Sequence, residues 1–407
     1  MALIDDMMKI LELSLNLEDH SEEETAGVLN GFGYSDDDWE QFAVLAGKSA
    51  VAGLMYDTLK TYGRLPQKAM DLIARYSQKV CRKNYRFMVL QVRLKEAFEK
   101  AGIPFCVLKG IAAANDYPVP DVRKSGDIDI LLTHPSDLKR ALEELEELGY
   151  EKESEMHVHH VELRHTGKSK LELHTLLVEP FDNAKTNQFL EKLVPECEKH
   201  IVFKEIMGIK IPVLDDAFHA YELLMHMLQH FLLAGFGVRL LCDWVVLWNR
   251  GLSEKDRNLY MKLVQESKVK SFSDVITRVC IKYLGLKEEN VLWMNLYDNG
   301  KSREELDNEA EAFVEDIMDA GEFGEAKDRM VALRGTGMFD YVREFHHQMH
   351  INFPKAGKCF LLWPVLWVIT LVRFLRNNKK VRDVSSRELF KNAKKRGRLV
   401  KKLHIFE

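Results

Sequence analysis

The sequence predicts an α+β fold in which a small sheet, near residues 101–215, is embedded in extensive helical regions. Three observations support this prediction. Residues 1–100 show the helical spacing of apolar positions, and the same spacing returns from Asp216 to about His350. Between these regions, short apolar runs alternate with amphipathic segments, as expected for strands and helices that follow one another.

Size and composition fit a multi-part globular protein. The 407 residues, 46% of them apolar, are enough for two or three units with a buried core. The net charge of −5 argues against a general nucleic-acid binder. Six scattered cysteines form no C-x-x-C pair, which indicates a reducing cytoplasm. The amino terminus, MALIDDMMKILEL, is acidic and amphipathic, unlike a secretory signal.

The first 100 residues predict an amino-terminal helical region. Ser35, followed by three aspartates and Trp39, is typical of a helix start. The segment from Gly63 to Pro66 predicts a break between two helices.

The central segment predicts strands joined by short helices. Residues 103–108 (IPFCVL) indicate a strand, followed by the Lys109-Gly110 turn and a short helix over 111–117. Residues 137–148 predict an amphipathic helix that stops at Gly149. Residues 200–214 predict a hairpin that turns near Gly208 and extends the sheet.

Two aspartates that are separated by a single residue on a predicted buried strand indicate a metal site. Residues two apart on a strand point to the same side, so Asp127 and Asp129 present their carboxylates together while Ile128, Ile130 and Leu132 face the core. Such hard oxygen ligands favour Mg²⁺ or Mn²⁺.

A third acid and a glycine turn extend this site. Glu172 alternates with two leucines in KLELHTLL, and Gly110 stands at a strand-to-helix turn with room for a phosphate. Three acids on neighbouring strands beside such a turn indicate metal-assisted phosphoryl or nucleotidyl transfer.

The order of these motifs resembles the DNA polymerase beta-like superfamily of nucleotidyltransferases, specifically its bacterial uncharacterised group. The resemblance extends from the amino-terminal helices to about Trp248. It rests on five elements: Leu108-Lys109-Gly110, Tyr117-Pro118, Arg123, Gly126-Asp127-Ile128-Asp129 and Glu172-Leu173-His174.

The resemblance implies a small mixed sheet flanked by helices, two metal ions and a nucleoside triphosphate, for which ATP is expected. It implies catalytic and metal-binding roles for three acids, Asp127, Asp129 and Glu172. It implies nucleotide contacts for five further residues, Lys109, Gly110, Arg123, Gly126 and His174. For Arg123, pairing with Asp121 is the alternative.

Two positions depart from the wider superfamily. Gly110 is followed by Ile111, where glycine or serine is usual, so Lys109 is expected to supply the phosphate contact. The third acid is Glu172, one methylene longer than the usual aspartate.

The histidines leave several interpretations open. His157, His159 and His160 lie on a predicted strand, but the missing cysteine pattern argues against zinc. Contact with phosphate or base, and ordinary packing, both stay possible. His219, His226 and His230 share a face of the predicted helix after Asp216. Together with Arg239 and Asp243, these positions match the helical pattern of the family that the sequence resembles, and they are expected to form a polar face toward the active-site cleft.

The carboxyl end combines an apolar run with a basic tail. Cys359–Val372 is uncharged, but it is short for a membrane span and contains Pro364, so a buried or interfacial helix is expected. Arg373–Glu407 carries 13 basic and 3 acidic residues. This tail could bind an anionic membrane surface, RNA or the acidic body of the protein, or form a solvated helix.

These patterns predict four parts: a helical region (1–100), a nucleotidyltransferase core (101–215), a helical region closing the cleft (216–350), and an apolar helix with a basic tail (351–407). The predicted function is metal-dependent transfer of a nucleoside monophosphate to a small molecule, protein or RNA, with release of pyrophosphate. The alternatives are a non-catalytic nucleotide-binding scaffold at a membrane surface and a metal-dependent phosphohydrolase. The expected location is the cytoplasm, with the inner face of the membrane as a peripheral position.

Overall fold

The computed structural model describes residues 2–153, 159–165, 169–181, 183–233, 235–297 and 300–320, parts of 342–381, and 401–406. Predictions about His157 and about the basic residues at 382–400 lie outside the described residues.

The helices of this part of the chain precede, interrupt and follow a single sheet. They are α1 (Ala2–Leu15), α2 (Glu22–Gly31), α3 (Asp36–Lys48), α4 (Ala52–Tyr62), α5 (Gln67–Ala101), α6 (Gly110–Ala114), α7 (Leu138–Glu147), α8 (Ala184–Glu196), α9 (Asp216–Leu233), α10 (Val238–Asn249), α11 (Glu254–Glu266), α12 (Lys270–Leu284), α13 (Arg303–Ala320) and α14 (Trp363–Val381).

The strands form one seven-stranded mixed sheet. They are β1 (Phe105–Leu108), β2 (Ile128–Leu132), β3 (Tyr150–Lys152), β4 (His160–His165), β5 (Lys170–His174), β6 (Ile201–Ile206) and β7 (Ile209–Leu214). Their order is β3-β4-β5-β2-β1-β7-β6, with β2/β5 and β1/β7 parallel and the other pairs antiparallel. The predicted α+β fold is confirmed. The predicted hairpin is β6–β7, and it extends the sheet beside β1.

Local sequence signals place the amino-terminal helices as predicted. Ser35 caps α3, because its hydroxyl accepts from the backbone N–H of Asp38 while the Asp38 carboxylate accepts from the Ser35 N–H. α4 ends at Tyr62 and α5 begins at Gln67, so the predicted break lies where the sequence indicated it.

The two faces of the sheet meet different layers. On one face, Ile128, Ile130 and Leu132 pack in a cluster with the long helix α5, through Phe87 and Phe98. On the other face, Cys106, Leu108 and Leu131 belong to the helical core that contains α9 and α10. Polar side chains of the central strands therefore face the helical region.

The acidic segment at 302–325 is partly buried, and its last residues lie outside the described part. In α13, Leu306, Ala310 and Phe313 are fully buried. α13 is amphipathic and packs on α12, so only its acidic side meets solvent.

The apolar carboxyl-terminal run forms α14. Pro364 lies in the first turn of this helix, where proline is tolerated, so the helix begins beside it and not at Cys359. Most of its apolar side chains are exposed, including Val365 (58%) and Val368 (60%), so the helix is not buried. Among the described residues, no helix combines the length and apolar character needed to cross a membrane.

Candidate functional site

An acid row crosses three strands on the face that meets the helical region. Asp129 of β2 lies directly opposite Glu172 of the parallel strand β5, and Glu172 lies opposite Glu162 of β4. Neighbouring strands are about 4.8 Å apart, so these carboxylates stand side by side. Asp127 lies one residue before β2, and it lines one cavity together with these three acids. The alternation predicted for this strand is confirmed, because Ile128 and Ile130 are buried on the opposite face.

A strained turn borders the acid row. Lys109, between β1 and α6, has a positive φ of 46°, which is uncommon for a residue with a side chain. Gly110 follows with φ 27°, and a Cβ there would lie 3.5 Å from the Asp127 carbonyl oxygen and the Ser125 hydroxyl. The turn therefore runs close to Gly126 and Asp127. α6 is a single short helix of five residues, so the Lys109 charge is the main attraction that this turn offers an anion.

The Lys109 ammonium and the His174 imidazole lie among the acids. Lys109 Nζ donates to Asp129 Oδ1 at 3.1 Å. His174 Nε2 lies 3.1 Å from the same Asp129 oxygen and 3.5 Å from Glu172 Oε2. Lys170 Nζ donates to both Glu162 and Glu172 at 2.8 Å. Three cationic or imidazole groups thus share the charge of three carboxylates.

These contacts separate the acidities of the carboxyl groups. Burial by itself would raise the pKa of Asp129, but the Lys109 ammonium and the His174 hydrogen bond outweigh it and lower that pKa. For Glu172, burial again acts to raise the pKa. The His174 hydrogen bond and the Lys109 charge outweigh it, so the pKa of Glu172 is lowered. Burial and the negative charges of Asp129 and Glu172 raise the pKa of Asp127 to about 7. Lys109 and Lys170 oppose this shift in the pKa of Asp127 without cancelling it.

The donor set fits a divalent cation. Asp129, Glu172 and His174 each offer one ligand atom, and these atoms lie within 4.8 Å of one another. Carboxylate oxygens suit Mg²⁺ or Mn²⁺, and the single imidazole is compatible with Mn²⁺. The raised pKa of Asp127 marks an excess of negative charge that a bound cation would relieve.

Arg123 is buried beside the site and paired with an acid from the helical region. Its Nε donates to Asp243 Oδ1 at 3.0 Å, its Nη2 donates to Asp243 Oδ2, and only 2% of its surface is exposed. Tyr117 Oη donates to the same carboxylate at 2.8 Å. The alternative pairing with Asp121 is replaced by this bidentate contact with α10. The triphosphate contact predicted for Arg123 stays a prediction.

The helical region forms the far wall of a cavity of about 350 Å³ over the acid row. Of the polar helical set predicted to face the cleft, His226, His230 and Arg239 line this cavity. His219 instead lies 3.4 Å from Asp116, and Asp243 binds Arg123. The cavity lining also contains the predicted nucleotide-side residues: Lys109, Gly110, Arg123, Gly126 and His174.

Several residues of this site were not predicted from the sequence. Glu162 lines the cavity from β4, and Glu179 and Gln229 line it from neighbouring segments. His160, for which phosphate or base contact was one of the open interpretations, also lines it from β4. The alternation of His160 and Glu162 with valine and leucine in HVELRH was the signal for the β4 residues. No comparable local pattern marked Glu179 or Gln229.

Glu222 of α9 is a further buried acid near this site. It is fully buried, and neither carboxylate oxygen has a hydrogen-bond partner in the described part of the chain. Burial raises the pKa of Glu222, although Lys109 and His219 act in the opposite direction. Glu222 is therefore a buried acid whose charge Lys109 and His219 only partly offset.

A mixed sheet that carries a row of acids beside a strand-to-helix turn defines the nucleotidyltransferase class of proteins. The chain belongs to the family of uncharacterised nucleotidyltransferases, whose family model matches residues 35–285. This match confirms the family predicted from the sequence motifs.

Two solved structures are similar to parts of the chain. One is a lincosamide antibiotic adenylyltransferase, LnuA, bound to lincomycin, at 18% identity and a TM-score of 0.23, covering 44% of this chain and 92% of that one. The other is an antigenic nucleotidyltransferase-like protein from Paracoccidioides brasiliensis, at 15% identity and a TM-score of 0.30, covering 49% and 92%. Such low scores say nothing about the substrate of this chain. Among curated proteins, none matches it significantly.

Proposed function

We propose that the chain transfers a nucleoside monophosphate from a nucleoside triphosphate to an acceptor and releases pyrophosphate. The observation that carries this proposal is the acid row, with Asp129 opposite Glu172 and Asp127 beside them, next to the Lys109 turn. ATP is the first nucleotide to test. The acceptor is a small molecule, a protein side chain or an RNA end.

Asp127, Asp129 and Glu172 are the residues that would hold Mg²⁺ or Mn²⁺. When bound, the cation neutralises phosphate oxygens and the charge of the leaving pyrophosphate. Asp129 and Glu172 are already side by side on paired strands, and Asp127 lies one residue before β2 in the same cavity lining.

In the reaction, the acceptor oxygen forms a bond to the α-phosphorus while the bond from that phosphorus to the bridging oxygen of pyrophosphate breaks. Pyrophosphate leaves with the electron pair, and a carboxylate of the acid row takes the acceptor proton. The lowered pKa of Glu172 makes it a weak proton acceptor. This favours a metal-ligand role for Glu172 over a proton-accepting role.

The nucleotide side of the site is assigned to the residues around the turn. Lys109 would hold the β- and γ-phosphates after its ammonium moves from Asp129, and the Gly110 and Gly126 backbones leave room for them. His174 would orient Asp129 and Glu172 through its Nε2. Arg123 would hold the loop before β2 through Asp243 and add positive charge at the cavity wall.

The exposed face of α14 favours a second property, association with an anionic membrane surface from the cytoplasmic side. Exposed apolar side chains lie just before this helix, at Phe360 (68%) and Leu361 (72%), and within it, for example at Leu371 (46%). The sequence that follows carries a large excess of positive charge. Apolar burial combined with attraction to anionic lipid is the usual basis of interfacial helix binding.

Nucleotidyl transfer is tested with the purified chain, Mg²⁺ and each of the four nucleoside triphosphates labelled at the α-phosphate, incubated with fractionated cell extract. We expect label to appear in an acceptor fraction together with pyrophosphate. Release of labelled nucleoside monophosphate or diphosphate without an acceptor would support the phosphohydrolase alternative. Metal-dependent binding without any turnover would support the non-catalytic alternative.

A further inference from the structure

Three imidazoles lie together at one end of the acid row. His160 of β4 is directly opposite His174 of β5 in the antiparallel ladder, and His159 precedes β4. The ring centroids are 5.2 Å apart for His160 and His174, 5.8 Å for His159 and His174, and 4.2 Å for His159 and His160. Each ring offers one nitrogen, and these three atoms lie within 4.8 Å of one another.

Two of these rings are buried with an unused nitrogen. His159 is 7% exposed and His174 is 1% exposed. Within the described part of the chain, the Nδ1 atoms of both rings lack a hydrogen-bond partner. A buried polar atom without a partner costs roughly 1–3 kcal/mol, so a ligand that accepts a hydrogen bond from these nitrogens or is coordinated by them would be stabilised beside this cavity. All three rings line the cavity over the acid row.

We propose that His159, His160 and His174 form a nitrogen-rich metal position that takes a borderline transition ion, such as Zn²⁺ or Co²⁺. Three imidazoles can hold such an ion without any cysteine, so the missing cysteine pattern does not exclude it, whereas Mg²⁺ prefers oxygen ligands. The oxygen-rich position at Asp127, Asp129 and Glu172 is the neighbouring one. His174 lies between the two positions, with its Nε2 toward Asp129 and Glu172 and its Nδ1 without a partner in the described part of the chain. The two positions therefore differ in ion preference. Metal binding at the three imidazoles does not depend on nucleotide transfer.

The chain offers a matched control on the same strand. His165 ends β4, and its ring packs edge-on against Tyr150 at 5.1 Å, away from the cavity lining. His165→Ala removes one histidine without touching the three-imidazole cluster. His160→Gln keeps a polar side chain at the cavity wall and guards against loss of folding in the alanine variants.

The test is a titration of the full chain with Co²⁺, in the presence of excess Mg²⁺ and without nucleotide, followed by visible absorption. We expect one Co²⁺ per chain with nitrogen-ligand absorption bands, displaced by Zn²⁺. His159→Ala and His160→Gln should bind Co²⁺ at least about tenfold more weakly, while His165→Ala binds it like the wild type. Circular dichroism checks that each variant is folded.

Three results would overturn this inference. They are no Co²⁺ absorption in the wild type, equal Co²⁺ affinity in folded His159→Ala and His165→Ala, and loss of the bands only when Asp127 and Asp129 are changed to asparagine. The last result would place the ion at the carboxylates. If the histidine variants instead lose nucleotide affinity while Co²⁺ binding is unchanged, the cluster binds phosphate or base and the metal position is wrong. None of these results decides whether nucleotide is transferred.

Discussion

The Lys109 ammonium lies 3.1 Å from a carboxylate oxygen of Asp129, in the position that a cation would take in this acid row. The contact and the His174 hydrogen bond lower the pKa of Asp129, whereas burial and the charges of Asp129 and Glu172 raise the pKa of Asp127 to about 7. Two neighbouring aspartates therefore differ in acidity, with Lys109 in direct contact with the more acidic one. Binding of metal and triphosphate must rearrange this contact.

We predict that Lys109→Ala weakens triphosphate binding far more than monophosphate binding, because the ammonium is assigned to the β- and γ-phosphates. The expected difference is that of a lost charge-assisted contact, roughly 1.5–3 kcal/mol, or about ten- to hundredfold in affinity. Calorimetry with both ligands measures it. Lys139→Ala, on the exposed surface of α7 at 89% side-chain exposure, is the control. A parallel loss for both ligands would give Lys109 a structural role.

We predict that affinity for divalent metal falls with pH below 7. Asp127 has its pKa raised to about 7, and hydrogen bonds to Asp129 and Glu172 raise the pKa of His174 against the effects of burial and Lys109. Both groups are protonated in acid, and metal binding must displace those protons. For each proton displaced, affinity should fall about tenfold per pH unit below the pKa and level off above it.

Calorimetry of metal binding in two buffers with different ionisation enthalpies measures these protons directly. Proton release at pH 6 and little release at pH 8.5 is the expected pattern. Affinity that is constant from pH 6 to pH 8 would contradict the assignment of Asp127 and His174 to the metal site.

We predict that Asp243→Asn destabilises the fold strongly. The Asp243 carboxylate is 1% exposed and accepts from Arg123 and Tyr117, so the change leaves the Arg123 charge buried without an anion. Breaking such a pair costs about 3–5 kcal/mol, whereas Tyr117→Phe should cost roughly 1 kcal/mol. Denaturant unfolding of both variants and of the double variant gives the coupling free energy between the Asp243 and Tyr117 side chains. Unchanged stability in Asp243→Asn would show that the network contributes nothing to holding α10 on the core.

The sequence allowed much of this site to be predicted, because its main signal is local. Alternation on one strand identified Asp127 and Asp129, and the same alternation identified Glu172. Glu162 and Lys170 were not assigned to the site, because their contact requires β4 to pair with β5 across a connection that no residue pattern specifies.

Contacts between distant segments were also beyond prediction. Arg123 and Asp243 are 120 residues apart, and only the packing of α10 against the core makes them partners. The exposure of α14 was likewise not predicted, because an apolar run reads the same whether it packs on the body or meets solvent.

We predict that the basic tail and α14 serve location and not chemistry. A variant with four tail residues, Lys394, Lys395, Arg396 and Arg398, changed to glutamine should bind anionic phospholipid vesicles more weakly, and its residual binding should depend less on salt. Its metal-dependent triphosphate binding should equal that of the wild type. Vesicle co-sedimentation and calorimetry measure the two properties.

The charge-matched control for this variant changes four exposed lysines of the body: Lys68, Lys139, Lys199 and Lys262. It should bind vesicles like the wild type if the tail is the contact. A tail variant that loses RNA binding and not vesicle binding would identify RNA as the partner. A folded tail variant that loses triphosphate binding would place the tail in the active site.

Nucleoside triphosphate binding with and without Mg²⁺, in the wild type and in the variant carrying Asp127→Asn and Asp129→Asn, tests the central claim most directly. A variant with Asp36→Asn and Asp37→Asn, in the exposed first turn of α3, is the matched control. The wild type and the control should bind triphosphate tightly only with Mg²⁺. The site variant should stay folded but should lose the gain in triphosphate affinity that Mg²⁺ gives. Equal, Mg²⁺-dependent affinity in all three proteins would contradict the assignment of these aspartates to the active site.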